Sequence, residues 1–416
     1  MAERVLVAGI FSAQRPLVEI QSILEEMAQL TRSAGGEVKD SLFQRRRSPD
    51  SRTLLGRGKV REIAERVQRD SLDLVVFFNS LSRIQQRNLE SELGCSVIDR
   101  TRLILDVFAT RARSLEGKLQ VELAQLTYML PRLTGRGVEL SRLGGGIGTR
   151  GPGETKLETD RRRIRDRISV VRRRLEKVIR DRDLQRRSRA QRPVPLVSLV
   201  GYTSAGKSTL FRRLTGQEVV VSQRLFSTLD PLLRRVDLSD IQPGCFFLLS
   251  DTVGFIRDMP AELFRSFRAT LEEVVHADIL LNIVNGAAHD CDFQEREVLR
   301  VLDGIGVSRD RVINVVNKID LLGGSAGETG RAEGVRISAR SGEGVDRLRR
   351  VVFERWFADM QRYTLRIPRV DFNLNALTKW AVVLERRDLG ENVEVSLLCH
   401  PKKMLQYKTT LEGGQP

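Results

Sequence analysis

The sequence predicts an α/β protein of several units, and three observations carry that prediction. Short apolar runs alternate with helix-period stretches over residues 1–112 and again over 194–360. Between them, residues 113–192 carry two stretches of heptad-spaced leucine, isoleucine and valine. The glycine-rich segment GYTSAGKS, residues 201–208, directly follows an apolar run at 195–200. A buried strand, a glycine loop and a helix opening near Lys207 form the junction of a parallel-type sheet. The expected order is a small α/β N-terminal domain, a long antiparallel helical hairpin, a larger α/β domain with a parallel-type sheet, and a small α+β domain over 361–416.

In the first domain, residues 5–10, 37–42, 74–78 and 95–98 read as strands, and 16–31, 59–69 and 82–92 as helices. Leu17, Ile20, Leu24 and Met27 share one face of the first helix. Gly56-Arg57-Gly58-Lys59 lies before a helix and suits an anion or RNA contact, although it is too short for a phosphate loop. In the hairpin, Leu119, Leu123, Leu126 and Leu130 make one seam, and Ile164, Ile168, Val171, Leu175 and Val178 the other. The second helix, about 33 residues, would run roughly 50 Å. Its connection, 134–153, holds eight glycines, the three arginines Arg136, Arg142 and Arg150, and one acid, Glu139. Glycines allow close backbone approach and arginines supply phosphate contacts. Pro193 and Pro195 mark entry to the larger domain, with strands at 195–200, 232–238, 246–250 and 312–316 and a closing helix over 344–359. The tail carries strand-like runs at 364–367 and 393–398.

The chain has 416 residues, a net charge of +16 and a pI near 10.3. Residues 155–192 hold 16 Lys and Arg against 6 Asp and Glu, the footprint of a polyanion partner. The stretch lacks Trp and Phe to enter lipid, so nucleic acid is favoured over a membrane surface. Lys156, Arg161, Arg162 and Arg163, with the three loop arginines, are the candidate RNA contacts. No stretch approaches the roughly 20 apolar residues of a membrane span. Scattered Cys95, Cys245, Cys291 and Cys399, with only three histidines, form no metal motif and point to a reducing cytoplasm.

GYTSAGKS matches G-x-x-x-x-G-K-S/T, a phosphate loop. Backbone N–H groups of Gly201, Tyr202, Thr203, Ser204, Ala205 and Gly206 can turn toward phosphate oxygens, aided by the helix N-terminus and Thr209 in its first turn. Lys207 would reach the β- and γ-phosphates, and Ser208 would hold Mg²⁺. Asn317-Lys318-Ile319-Asp320 fixes the base. The Asp320 carboxylate can accept two hydrogen bonds from the guanine edge that adenine does not offer. Asn317 can meet the ring and tie loops together, and the Lys318 stem can cover it. ATP is the alternative nucleotide. Asp251-Thr252-Val253-Gly254 supplies a second Mg²⁺ contact at Asp251 and a γ-phosphate contact at the Gly254 N–H. Thr228, in Phe226-Ser227-Thr228-Leu229, can close over Mg²⁺ and the γ-phosphate and release after hydrolysis. Lys207, Thr228 and Gly254 are thus the candidate catalytic groups, and Ser338, Ala339 and Arg340 offer a lining for the guanine pocket. Many GTPases orient the attacking water with a Gln after this glycine, whereas this chain has Phe255. Slow basal hydrolysis with activation by a partner is expected.

These residues resemble the HflX family of ribosome-associated GTPases, a P-loop class with a hydrophobic residue at the Phe255 position. The resemblance rests on GYTSAGKSTLF, LFSTLDPLLRRV, LSDTVGFIRDMP and NKID, and on LEGKLQVELAQLTYMLPRLTGRG and LGGGIGTRGPGETKLETDRRRIRDRI outside the nucleotide motifs. It covers residues 1 to about 360. It implies a GTPase that binds the large ribosomal subunit, directs the hairpin loop at ribosomal RNA, and splits or rescues stalled ribosomes under stress; a monomer is expected. The alternatives are an RNA-binding GTPase of subunit assembly and a nucleotide-dependent RNA remodeller. Relatives usually carry Asn in place of Ser204, which in several GTPases helps hold a monovalent cation, and two threonines in place of Leu232 and Leu233.

Overall fold

The computed structural model describes residues 2–133, 152–190, 194–216, 232–252, 254–257, 273–322 and 334–412, with backbone alone for 152–157, 182–190 and 408–412. The described chain divides into two compact units, one up to residue 177 and one from 178 onward.

The first unit is built on a parallel sheet of four strands: β1 (Arg4–Phe11), β2 (Glu37–Arg45), β3 (Leu74–Phe77) and β4 (Ser96–Asp99), in the order β2-β1-β3-β4. β1 and β3 are near-continuous apolar runs because both faces of a parallel strand are covered. Helices α1 (Leu17–Ala34), α2 (Arg57–Arg69), α3 (Arg83–Leu93) and α4 (Arg100–Arg111) supply the covering layers. α1 buries Ile20, Leu24 and Met27 of the predicted face, together with Ile23 and Leu30, whereas Leu17 at the first helical position is 48% exposed; the helix stops at Gly35. α2 begins at Arg57, so Arg57-Gly58-Lys59 form its first turn and do not precede it. α3 opens with a Ser82–Gln85 capping box.

α5 (Leu115–Met129) and α6 (Pro152–Ala190) are the two helices of the predicted hairpin. Arg167 of α6 pairs with Glu122 of α5. The α6 seam is as its spacing predicts: Val171 and Leu175 are buried, and Ile164, Ile168 and Val178 half-buried. At 39 residues α6 is longer than expected, starting within the glycine-rich stretch at Pro152. Proline fits a first helical position because its missing N–H has no partner there in any case. The C-terminal end of α5 is fixed by buried Asp99, which accepts from Tyr128 Oη at 2.9 Å and from Nη2 of Arg132, just past the helix, at 3.0 Å.

The second unit holds a six-stranded sheet of β5 (Leu196–Gly201), β6 (Leu232–Asp237), β7 (Phe246–Asp251), β8 (Ile279–Asn285), β9 (Val312–Asn317) and β10 (Val335–Arg336), in the order β10-β9-β8-β5-β7-β6. All neighbours pair in parallel except edge strand β6, which runs antiparallel to β7. Helices α7 (Lys207–Thr215), α8 (Cys291–Gly304) and α9 (Val345–Phe357) belong to this layer. β5 lies between β7 and β8, where the strand order reverses, so the loop leaving its C-terminal end opens at the sheet's natural ligand position. A three-stranded antiparallel sheet follows: β11 (Gln361–Pro368), β12 (Val382–Leu389) and β13 (Asn392–Cys399), in the order β11-β13-β12. Val382 of β12 joins the core that includes Cys245 and Phe247, which joins this small sheet to the larger one. Among the described residues, no helix is long and apolar enough to cross a membrane.

Candidate active site

The segment Gly201–Ser208 bends from β5 into α7 through backbone conformations that few residues adopt. Gly201 has φ +142°, and a Cβ there would collide with the Ile283 carbonyl. Gly206 has φ +97°, and a Cβ there would strike the Asn317 amide. Both positions therefore require glycine. Ser204 sits at φ 61°, the left-handed region that Asn tolerates better than Ser. Tyr202, Thr203 and Ala205 are buried and Ser204 is exposed; Thr209 is half-buried in the first turn of α7.

Lys207 is 7% exposed, and its Nζ donates to the carbonyls of Gly201 at 3.0 Å and Tyr202 at 2.7 Å. Burial pushes its pKa from the ordinary 10.5 to about 8, opposed by the nearby Asp251 carboxylate. The Ser208 hydroxyl donates to Asp251 Oδ2 at 2.9 Å. Two hard oxygen donors from α7 and the end of β7 thus stand side by side, a set that suits Mg²⁺. Thr252 Oγ1 donates to the Leu199 carbonyl at 2.5 Å, tying β7 to β5 beyond their ladder. Gly254 lies so close to the loop that a Cβ there would stand 2.9 Å from Lys207 Nζ and 2.9 Å from Thr203 Cγ2.

Phe255 is 2% exposed, so its ring packs inward and orients no water. Its backbone carries the contact with the phosphate loop: its N–H donates to the Gly201 carbonyl at 3.1 Å, and its carbonyl accepts from Thr203 N–H at 2.8 Å. The Arg257 N–H donates to Tyr202 Oη at 2.6 Å.

At the other side, Asn317 joins two loops, as its position predicts. Its Nδ2 donates to the Ala205 carbonyl at 2.7 Å, and its Oδ1 accepts from Ala339 N–H at 2.9 Å. Lys318 is half-buried with φ 65°, and burial lowers its pKa against the opposing pull of Asp320, whose carboxylate is exposed. Ser338 and Ala339 are buried, and Arg340 is exposed. The structure thus gathers residues 201–209, Asp251, Thr252, Gly254, Asn317 and Ala339 at one end of the sheet.

Thr228, Val253, Arg136, Arg142 and Arg150 lie outside the described residues, as does the Lys156 side chain. Arg162 and Arg163 are exposed on α6 and Arg161 is half-buried. Arg57 lines an open cleft of the first unit with Arg52, Arg61, Asp50 and Glu92.

Sequence reasoning missed Arg213. From α7 its Nε donates to the Ala339 carbonyl at 3.4 Å, and its Nη2 also reaches the Arg340 carbonyl. It thus holds the 338–340 loop by its carbonyls, while Asn317 meets the Ala339 N–H. Its partners lie more than a hundred residues along the chain, so no local pattern marks it.

Residues 21–109 match a family described as GTP-binding GTPase N-terminal, residues 111–189 one described as GTP-binding GTPase Middle Region, and residues 196–318 one described as 50S ribosome-binding GTPase. The chain is 42% identical over 407 residues to the GTPase HflX of Caldanaerobacter subterraneus subsp. tengcongensis, spanning 97% of this chain and 93% of that one. It is 42% identical over 402 residues to the GTPase HflX of Escherichia coli K12, spanning 95% and 92%. A GTP-binding protein of Sulfolobus solfataricus, solved in complex with GDP, is similar at 23% identity over 84% of this chain and 98% of that chain, with a TM-score of 0.45.

Proposed function

The chain belongs to the HflX family of GTPases, and on that premise we propose that its GTP hydrolysis is coupled to the large ribosomal subunit and serves to split or rescue stalled ribosomes under stress. The observation that carries the nucleotide reading is the Ser208–Asp251 hydrogen bond beside buried Lys207. The phosphates lie along residues 201–208, within reach of the Lys207 ammonium, whose two carbonyl contacts exchange for phosphate oxygens. Asp320 reads the guanine edge, and Asn317 keeps the base side registered with the phosphate side. Ser208 and Asp251, with Thr228, would hold Mg²⁺, which would supply positive charge against the developing charge on the phosphates. Among the described residues no cluster of three or more His, Cys, Asp or Glu stands ready for a metal, which fits an ion held largely by phosphate and water.

With Phe255 buried, water is oriented by backbone, by another side chain or by the partner, which supports slow basal turnover and activation on docking. The family described as 50S ribosome-binding GTPase supports the partner, and the basic α6 with its Arg136, Arg142 and Arg150 loop supports contact with ribosomal RNA. The four free cysteines support a reducing, cytoplasmic setting, and we propose that the protein acts there as a monomer. Gradient sedimentation with purified whole ribosomes and GTP, a non-hydrolysable analogue or GDP tests this. Conversion of whole ribosomes into subunits is expected with the triphosphate forms. Binding confined to immature particles would replace splitting with an assembly role.

A further inference from the structure

We propose that Arg257 is a positioning residue for GTP hydrolysis: clamped on Asp290 and Phe293, it sets the Gly254–Phe255 backbone against the phosphate loop. The inference rests on the reading above, in which the Gly254 N–H faces the γ-phosphate.

Among the described residues Arg257 is one of the largest fully buried side chains, 2% exposed. A buried guanidinium demands partners, and these come from another element. Its Nη2 meets Asp290 Oδ2 at 3.2 Å, and its plane stacks on Phe293 with 3.9 Å to the ring centroid. An arginine suits this place because a flat, delocalised cation can pair and stack at once, which a lysine does not reproduce. The acceptor is itself fixed: Gln294 Nε2 donates to Asp290 Oδ1 at 2.8 Å. The loop leading to Asp290 is anchored at its start, where Gly286 N–H donates to the Asn317 carbonyl at 3.0 Å.

Arg257 lies three residues after Gly254, and the backbone between them is already bound to the phosphate loop. Phe255 exchanges hydrogen bonds with Gly201 and Thr203, and the Arg257 N–H bonds Tyr202 Oη. Its side chain pulls the end of this short segment toward α8, so the segment is held at both ends. With no polar side chain at residue 255, backbone groups here carry the task of placing the γ-phosphate and its water. A small displacement of such groups lowers rate far more than it lowers affinity.

The test compares full-length wild type with Arg257→Lys, Asp290→Asn and Phe293→Leu. Single-turnover GTP hydrolysis is measured alongside the affinities for GDP and for a non-hydrolysable GTP analogue. Hydrolysis should fall about 10- to 100-fold in the first two variants, with GDP affinity within about twofold of wild type. The analogue should weaken relative to GDP, because only the γ-phosphate touches this segment. Phe293→Leu leaves the ion pair in place and should give a smaller loss, about threefold, so it decides the matter if the charge variants do not fold. Unchanged hydrolysis in the folded variants, or GDP and analogue affinities falling together, would overturn the proposal. Wild-type protein that bound no guanine nucleotide would remove the underlying reading and the proposal with it.

Discussion

The depressed pKa of Lys207 makes nucleotide affinity depend on pH in a direction that can be worked out. In the ligand-free protein the ammonium is buried and its pKa falls from 10.5 to about 8, because burial outweighs the Asp251 carboxylate. Polyphosphate supplies negative charge at the ammonium and raises that value in the complex. Binding above about pH 8 therefore takes up a proton. At about pH 9, one unit above the free value, about one molecule in eleven carries the proton, so GDP affinity should fall about tenfold relative to about pH 7. The folded, ligand-free protein shows the opposite slope. It binds fewer protons than the unfolded chain between about pH 8 and 10.5, so this group's contribution to stability rises with pH across that window, by about 3 kcal/mol in full. Calorimetric titration with GDP in two buffers of different ionisation enthalpy reads the proton uptake directly. Lys207→Met supplies the control that removes this titration. Affinity that is flat from about pH 7 to about pH 9, or an identical slope in Lys207→Met, would refute the reasoning.

Other consequences are equally direct. Asp320→Asn should weaken GTP binding several-fold or more, since an acceptor of two hydrogen bonds becomes partly a donor, and xanthosine nucleotides should then bind better than they bind wild type. Fluorescent-nucleotide titration checks both halves. Ser204→Gly should raise thermal stability by about 0.5 kcal/mol in calorimetry, because relief of the left-handed backbone at φ 61° outweighs the extra chain entropy that glycine loses on folding. Phe255→Ala should cost about 3–5 kcal/mol in denaturant unfolding, as expected for a buried aromatic. It should nonetheless spare basal hydrolysis from the loss expected of a missing catalytic glutamine. A collapse of basal rate at unaltered GTP affinity would make the ring itself an organiser of the site.

The features legible in the sequence are those enforced locally. Gly201, Gly206, Lys207 and Ser208 occupy a strand–loop–helix junction whose backbone tolerates little else, and Val171 and Leu175 fall on a seam set by helical period. Asn317 is legible because it ends an apolar strand, where its amide ties the Ala205 and Ala339 loops. Strand β12 escaped notice because Glu385, Arg386, Arg387 and Asp388 face solvent, leaving an edge strand that reads as a charged loop. Helix α4 was missed although Leu103, Ile104, Leu105, Val107 and Phe108 are all buried, because a helix covered nearly all round shows little periodicity. Antiparallel β6 could not be told from a parallel strand, since direction is a property of the pairing. Arg213 and Arg257 carried no mark because their partners, Ala339 and Asp290, are brought near only by the sheet.

The central claim, a GTPase switched on by the large ribosomal subunit, is tested most directly by GTP turnover with and without purified subunits. The wild-type chain should be slow alone and accelerated at least about tenfold by large subunits, with the stimulation falling steeply as salt is raised. A chain with residues 136–150 replaced by a short linker should bind GTP normally and lose the stimulation. Equal wild-type rates with and without subunits, or full stimulation of the loop-deleted chain, would contradict the account.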